Sequence, residues 1–294
     1  MNRVRKQIHY SRAEKEQLTG YHIGVGVLDS GIFPHEDLKD QIRAFRDFTN
    51  KYQLPYDETG HGTHVCGILA GNGRVLHGKY KGMAPCCDLY VGKILNKRGE
   101  GSLKTLLRGL QWLLSIAESC NIRVINISVS SIASASPEEQ RKLYELFQYA
   151  YENNILIVTA AGNFGPGDNT ISRLGDTPYV ICVGCHDGDL ENGGLRCQDC
   201  SGRGPGENVW KKPDVVAPGT QIISCQAAYG KYVARSGTSM ATPIVSGLLA
   251  LAWEKYPYLN AMQLKRKLIL SATDLGESYL MQGAGMVDVE KMLS

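Results

Sequence analysis

The sequence lacks any apolar run long enough to span a membrane. Its first residues are basic, with Arg3, Arg5 and Lys6, but polar residues follow them, so no signal peptide is visible. Pro/Ser-rich linkers, charge blocks and internal repeats are also missing. Their absence favours one large domain, although 294 residues alone would suggest about two.

A strong excess of charge of either sign is missing as well. The formal net charge is +3, which is small for this length and gives no indication of a nucleic-acid partner. Hydrophobic residues make up 43% and charged residues 21%, so there is ample material for a large core. We therefore expect a globular protein that binds neither nucleic acid nor membrane.

Cysteine, by contrast, is well represented, with nine residues. An odd number without an export signal predicts reduced thiols in a cytoplasmic protein and argues against a disulfide framework. Cys182 with Cys185 and Cys197 with Cys200 form two C-x-x-C pairs, a spacing also found in zinc sites. Because residues three apart in a strand point to opposite faces, we expect small buried thiols, with zinc as the alternative.

Near-continuous apolar runs alternate with helical patterns along most of the chain. This alternation predicts an α/β fold with a mostly parallel central sheet and helices on both faces. A capping box at Ser11 and Glu14 predicts one helix within a short N-terminal segment, residues 1–20, ahead of a main domain at 21–294. The predicted strands are 22–28, 89–95, 122–129, 155–159, 180–183 and 214–217, and the main predicted helices are 103–120, 137–153 and 261–271.

Three polar residues follow apolar strands, where the active residues of parallel sheets gather. They are Asp29, Ser128 and Asn163. His61 begins an apolar helix, and Ser239 lies on the first turn of another, between small residues. Taken singly, these could be turn or helix caps.

A metal site at the first helix is a further alternative, because His61 and His64 lie three residues apart. The glutamate that H-E-x-x-H chemistry requires is not there, which disfavours this interpretation.

The order of carboxylate, imidazole and hydroxyl supplies the three roles of acyl transfer. The motifs D-S-G at 29–31, H-G-T-H-V at 61–65 and G-T-S-M-A-T-P at 237–243 resemble the active-site motifs of the subtilisin-like serine proteases, family S8. The similarity runs from about Tyr21 to the C-terminus and is greatest to the intracellular bacterial members.

The resemblance implies a subtilisin-like fold and a serine endopeptidase that works through an acyl-enzyme. Ser239 would be the nucleophile, His61 the general base and then acid, and Asp29 the group that orients the imidazole. Asn163, in a sequence that matches the family's A-A-G-N, would donate to the oxyanion together with the Ser239 backbone N–H. Neither a cofactor nor a catalytic metal would be required.

In this family the substrate binds as an extended strand between two segments of the enzyme. The matching segments here are 99–101 and 128–130. The primary specificity pocket would lie between 128–130 and 160–162. Its preference is not predicted, because Ser130, Ser131 and 172–174 depart from the small residues that the family usually has there. Leu103, with Leu106 and Val129, would line an apolar pocket or belong to the core. The implied substrate-binding residues are Gly99, Glu100, Gly101, Leu103, Ser128, Val129, Ser130, Ala160, Ala161, Gly162 and Thr238.

Calcium is the one metal that the resemblance brings into question. The loop at 73–80 lacks the asparagines of the family's calcium loop, and Arg74 and Lys79 are poor neighbours for a hard cation. We therefore expect the strong site to be absent. Weak calcium binding around Asp187 and Asp189 is an alternative to a solvated acidic turn.

Several functional questions stay open at the level of the sequence. A degradative role and the maturation of one peptide both fit, and a pseudoprotease that only binds peptides is the alternative from another class. A peptide or protein substrate is the expected partner, and the family adds a prodomain or proteinaceous inhibitor. The predicted location is the cytoplasm, or outside the cell if the sequence is a trimmed mature form.

Overall fold

The computed structural model describes residues 1–50, 52–129, 136–188, 196–206 and 210–294. Its centre is a sheet of seven strands in the order β2-β3-β1-β4-β5-β6-β7, and every neighbouring pair is parallel. The strands are β1 Gly24–Asp29, β2 Ile42–Asp47, β3 Asp88–Lys93, β4 Ile122–Ile127, β5 Leu156–Ala160, β6 Val180–Cys185 and β7 Val215–Ala217.

An antiparallel hairpin lies apart from this sheet, formed by β8 Ile222–Cys225 and β9 Tyr232–Arg235. The helices are α1 Asn2–Gln7, α2 Ser11–Lys15, α3 His61–Ala70, α4 Leu103–Ile116, α5 Pro137–Glu152, α6 Cys197–Cys200, α7 Thr238–Lys255, α8 Ala261–Ser271, α9 Tyr279–Gln282 and α10 Val289–Met292. Within the described ranges, no helix is long and apolar enough to cross a membrane.

Helices cover both faces of the sheet, and the strands are buried accordingly. Val25 and Val27 of β1 belong to the cluster that contains α3 and α7, whereas Leu28 belongs to the cluster that contains α4 and α5. Successive strand residues point to opposite faces, so a strand covered on both sides must be apolar throughout. The predicted α/β fold with a parallel sheet is confirmed.

The strand order changes direction at β1, which lies between β3 and β4. In open parallel sheets, a crevice forms outside the carboxyl ends of the strands at such a point. Asp29 is the last residue of β1, and Ser128 directly follows β4. The topology thus places both residues at the edge of one crevice.

The N-terminal 20 residues contain two short helices where one was predicted. The predicted capping box at Ser11 is absent, because Tyr10 is the N-cap of α2 and makes no side-chain capping bond. Val4, Ile8 and Tyr10 are buried in the same cluster as α3 and α7. The segment therefore packs on the main core, and the boundary at residues 20 and 21 stays a prediction.

Two of the nine cysteines are joined in a disulfide, Cys185 at the end of β6 and Cys197 at the start of α6. The expectation of free thiols is wrong for this pair and holds for the other seven. Each C-x-x-C spacing gives only local information, whereas the fold joins Cys185 of one pair to Cys197 of the other. In the described ranges, no cluster of metal-ligand atoms includes more than two of these four cysteines, which argues against the zinc alternative.

Candidate active site

Asp29 and His61 form a buried hydrogen-bonded pair at the carboxyl end of β1. His61 is the first residue of α3, and its Nδ1 lies 2.7 Å from Asp29 Oδ1. The same oxygen accepts the backbone N–H of Ser30 at 2.7 Å. Asp29 is fully buried, whereas the imidazole keeps 24% of its surface exposed. This arrangement fixes the ring by one nitrogen and leaves the other, Nε2, available for chemistry.

The close approach of α3 to the turn after β1 depends on glycine. A Cβ atom added at Gly62 would collide with the carbonyl oxygen of Gly31. Gly31 itself has a φ of +121°, a conformation that residues with a Cβ rarely adopt. The glycines of the D-S-G and H-G-T-H-V motifs therefore allow the carboxylate and the imidazole to meet.

Asp57 ties the two motifs together, and the sequence analysis missed it. Its Oδ1 accepts from the Ser30 hydroxyl at 2.8 Å and from the Gly60 N–H at 2.9 Å. Its Oδ2 accepts from the backbone and the hydroxyl of Thr63, at 2.8 and 2.7 Å. An Asp four residues before the first histidine of α3 is a capping signal that could have found it.

The surroundings of His61 act on its pKa in opposite directions. Burial lowers this pKa, but the Asp29 carboxylate raises it by charge and by its hydrogen bond, and the net shift is upward. The guanidinium of Arg235 partly offsets this rise. The imidazolium form is therefore stabilised, as a base that must hold a proton during catalysis requires.

His64, the second histidine of α3, has a structural position. Its Nε2 lies 3.0 Å from the carbonyl oxygens of both Ile222 and Val233, one in each strand of the β8–β9 hairpin. Burial, chiefly, lowers its pKa to about 3. His64 is thus a neutral donor that holds the hairpin to α3, which disfavours the alternative of two histidine metal ligands.

Ser239 is the second residue of α7 and is only 9% exposed. Its hydroxyl donates to the carbonyl oxygen of Ser128 at 2.8 Å. In the part of the chain that the structure describes, no hydrogen bond joins this hydroxyl to His61 Nε2. Such catalytic contacts are often long in the absence of substrate and shorten only when it binds.

Asn163 faces the start of α7 from the loop after β5. Its Oδ1 accepts both the backbone N–H and the hydroxyl of Thr238, each at 3.1 Å. The amide orientation follows from this network, and among the described residues no acceptor takes its Nδ2. A Cβ at Gly237, two residues before Ser239, would lie 3.3 Å from Asn163 Nδ2, so glycine at this position avoids crowding the amide. The side chain can therefore donate to a group above Ser239.

The chain matches a known protein family over most of its length. The Peptidase_S8 profile, which describes the subtilase family, matches residues 20–287. The chain belongs to the subtilase family. Subtilases are serine endopeptidases, so this protein is a serine protease.

Relatives and solved structures agree with this assignment. Serine protease AprX of Bacillus subtilis (strain 168) is 35% identical, over 94% of this chain and 67% of AprX. Subtilisin DY of Bacillus licheniformis is 33% identical, over 95% of this chain and 94% of that protein. The structures of Sphericase and of S41 psychrophilic protease each match with a TM-score of 0.80 at 30% identity, covering 92% of both chains.

The predicted substrate-binding residues of this subtilase differ in how far they are buried. Gly99 and Glu100 are exposed in a loop that an isolated bridge between Leu95 and Gly101 closes. Leu103, Leu106 and Val129 are buried together in the cluster on the α4 and α5 face, which favours their interpretation as core. Ser130 and Ser131 lie outside the described residues.

The backbone at 160–162 is held from one side by neighbouring loops. Ser172 donates its N–H to Ala161 at 2.7 Å and its hydroxyl to Ala160 at 2.8 Å. Gly202 donates its N–H to Gly162 at 2.8 Å. The predicted pocket wall is therefore braced by Ser172, one of the departures noted in the sequence.

A buried polar chain, missed in the sequence, links α7 to the segment after β4. The Ser246 hydroxyl donates to Asn126 Oδ1 at 2.9 Å, and Asn126 Nδ2 donates to the Ser128 hydroxyl oxygen at 2.9 Å. All three residues are buried. Because a buried amide must satisfy both of its ends, this chain fixes Ser128 against the nucleophile helix.

The carboxylates near the calcium positions considered above accept hydrogen bonds from the protein. Asp187 Oδ1 accepts from the N–H groups of Gly219 and Thr220, and its Oδ2 accepts from the Thr220 hydroxyl. Asp37, the acid that contacts the loop at 73–80, accepts from the Val75 N–H at 2.9 Å and from the Tyr232 hydroxyl at 2.6 Å. Protein donors therefore already take up oxygens that calcium would need. The second acid of the predicted weak site, Asp189, lies outside the described residues.

Proposed function

We propose that Ser239, His61, Asp29 and Asn163 carry out peptide-bond hydrolysis in this serine protease. The observation that carries the proposal is the 2.7 Å bond between Asp29 Oδ1 and His61 Nδ1. It holds the proton on Nδ1 and leaves Nε2 as the acceptor for the Ser239 hydroxyl proton.

Catalysis would begin when substrate draws the Ser239 hydroxyl away from the Ser128 carbonyl and towards His61. Ser239 Oγ then attacks the scissile carbonyl carbon while His61 Nε2 takes the hydroxyl proton. Asn163 Nδ2 and the Ser239 N–H donate to the oxyanion. His61 returns the proton to the leaving amine, and water releases the acyl group by the same steps in reverse.

Peptide substrate would bind as an extended strand between the loop at 99–101 and the segment at 128–130. Ala160, Ala161 and Gly162 would form one side of the primary specificity pocket, with Thr238 orienting Asn163. Because Ser130 and Arg173 replace the small residues that the family usually has beside this pocket, a restricted primary pocket is part of the proposal. Restriction favours maturation of a particular peptide over general degradation, and both roles remain candidates.

We also propose a cytoplasmic location, with seven of the nine cysteines present as free thiols in its support. A prodomain or a proteinaceous inhibitor is a proposed partner besides substrate. The proposal allows weak calcium binding away from Asp37 and Asp187. It does not allow strong calcium binding.

Cleavage-site profiling of a diverse peptide mixture by mass spectrometry tests the function. The proposal predicts cleavage by the parent protein and none by Ser239→Ala. A narrow set of cleaved sequences would assign maturation, and many unrelated sites would assign degradation. Equal cleavage by both proteins would remove Ser239 from the proposed role.

A further inference from the structure

Arg235 carries a charge that none of the described residues neutralises, beside the general base. It is the last residue of β9, and it is half-buried. Its Nη2 donates to the carbonyl oxygen of Thr59 at 2.9 Å. A Cβ at Gly60, the residue before His61, would lie 3.5 Å from the same nitrogen. The guanidinium therefore lies against the backbone that leads into α3.

The remaining hydrogen-bonding capacity of this guanidinium is unused by the described residues. Its Nε is buried and has no hydrogen-bond partner there. In the same ranges no carboxylate lies within 4.0 Å of Arg235, and the neighbouring acids are engaged elsewhere. Glu58 pairs with Lys93 at 3.2 Å, and Glu36 accepts the Gly230 N–H at 2.8 Å.

An unpaired guanidinium in a half-buried position is uncommon, because burial of a charge without a partner costs free energy. Its field also reaches the active site, since Arg235 lowers the pKa of both His61 and His64. The guanidinium presents five N–H groups in a planar fork, and this geometry matches a carboxylate, the anionic group that peptides carry.

The side of the scissile bond follows from the reaction. His61 gives its proton to the leaving amine, so the leaving part of the substrate must pass the imidazole. Asn163, which would hold the oxyanion, approaches Ser239 through Thr238, whereas Arg235 lies beside Gly60. Arg235 thus lies on the side of His61, past which the leaving part of the substrate must go. Only small groups flank the guanidinium here, since Gly60 has no side chain and a Cβ built on it would lie 3.4 Å from the Ala227 methyl carbon.

We propose that Arg235 binds an acidic side chain of the substrate one or two residues after the scissile bond. The preferred substrates are then peptides with Asp or Glu at these positions. This inference rests on the proposed function, because it assumes that His61 protonates the leaving amine. It adds a specificity determinant that the family motifs do not contain.

The test compares quenched-fluorescence peptides that are identical except for Glu or Gln after the scissile bond, all amidated at the C-terminus. The parent should show a kcat/KM about tenfold higher for Glu, the size expected of a charge-assisted hydrogen bond at a partly exposed site. In Arg235→Gln the ratio of the two substrates should fall to near one. Each protein is judged by its own ratio of kcat/KM for the Glu and Gln substrates, so a variant that is less active on both substrates does not affect the result.

Lys231→Gln is the matched control, because it removes an exposed positive charge from the turn of the same hairpin. It should keep the preference for Glu. In the parent, the ratio should also fall as salt rises, which tests the proposal even if Arg235→Gln does not fold. An equal rate for Glu and Gln in the parent would overturn the proposal, and so would an unchanged ratio in a folded Arg235→Gln.

Two further substrates separate the role of Arg235 from recognition of chain ends and from catalysis itself. A preference seen only with a free C-terminal carboxylate would assign Arg235 to chain ends and overturn the proposal for acidic side chains. A coumarin amide, which has no residues after the scissile bond, reports the proposed function alone. If the parent cleaves it, Ser239→Ala does not, and the parent shows no preference for Glu, then only the role of Arg235 fails.

Discussion

Asp29 and Asp214 are two buried carboxylates of one sheet with opposite surroundings. Asp29 ends β1 and bonds an imidazole through Oδ1, while in the described part of the chain its Oδ2 has no hydrogen-bond partner. Asp214 precedes β7, and its Oδ2 accepts from the Lys212 ammonium at 2.6 Å and from the Cys182 N–H at 2.7 Å. The Lys265 ammonium lies 3.7 Å from its other oxygen.

The two carboxylates differ in how many protein donors bind them. Burial raises the pKa of Asp214, but the charges of Lys212 and Lys265 lower it by more. The net shift is downward, so this carboxylate stays ionised. Lys265 also donates to the carbonyls of Pro178 and Val180, and burial lowers its own pKa to about 8. Asp214, bound by two lysines and a backbone N–H, fixes the start of β6, whereas Asp29, bound to a partly exposed imidazole, is suited to support proton transfer.

Asp29→Asn should produce the largest effect, a loss of about 10⁴-fold in kcat, because the imidazole loses the partner that fixes its proton on Nδ1. The melting temperature should change far less than in the Asp214 variant below. Steady-state kinetics and thermal unfolding of the same preparation measure both. If Asp29→Asn lost stability while its folded molecules kept normal kcat, Asp29 would have the structural role that is assigned here to Asp214.

Asp214→Asn should instead reduce stability, by about 3–5 kcal/mol, since it leaves two buried ammonium groups without a carboxylate. Urea unfolding measures the loss, and active-site titration gives kcat per folded molecule, which should stay close to that of the parent. A large fall in kcat with unchanged stability would show that this cluster is not purely structural.

Asn163→Ala sharpens the comparison at the catalytic end. It should lower kcat by about a hundred- to a thousandfold, the loss typical of one oxyanion donor, with KM nearly unchanged. Kinetics with one peptide substrate are sufficient. A defect mainly in KM would mean that Asn163 binds the ground state rather than the transition state.

The pH dependence of kcat/KM tests the titratable partner of Asp29. His61 must be neutral to accept a proton, and its pKa is raised, so activity should fall with decreasing pH through a value above the ordinary 6.5 or so. In Asp29→Asn, burial is no longer opposed by the carboxylate, so the acid limb should move to lower pH. An unmoved limb would mean that another group controls it.

Chelation should have the smallest effect, because protein donors already bind the carboxylates of Asp37 and Asp187. An excess of EDTA should shift the melting temperature by less than about 2 °C, which corresponds to under about 1 kcal/mol for a chain of this size. Titration with calcium after chelation is the control. A large drop that calcium restores would reveal a strong site.

The sequence predicted the sheet and the residues at its carboxyl edge because both are local signals. Apolar runs predicted β1 and β4, and each active-site motif is a few consecutive residues whose glycines and polar side chains act together. The edge strand β2 was missed because its residues are partly exposed and do not form an apolar run.

The features that escaped prediction join residues far apart in the chain. The Cys185–Cys197 disulfide depends on where α6 packs against β6. Lys265 on α8 meets Asp214 only in the folded chain, and charged residues beside an apolar run ordinarily indicate a surface. Arg235 gave no signal either, since its meaning depends on its position next to Gly60.

The most direct test of the account is covalent labelling with a fluorophosphonate, which reacts only with an activated serine. Peptide mapping of the parent should place the label on Ser239, and the labelling rate should fall steeply in both His61→Ala and Asp29→Asn. Label on another serine, or an unchanged rate without His61, would contradict the claim that the buried Asp29–His61 pair activates Ser239.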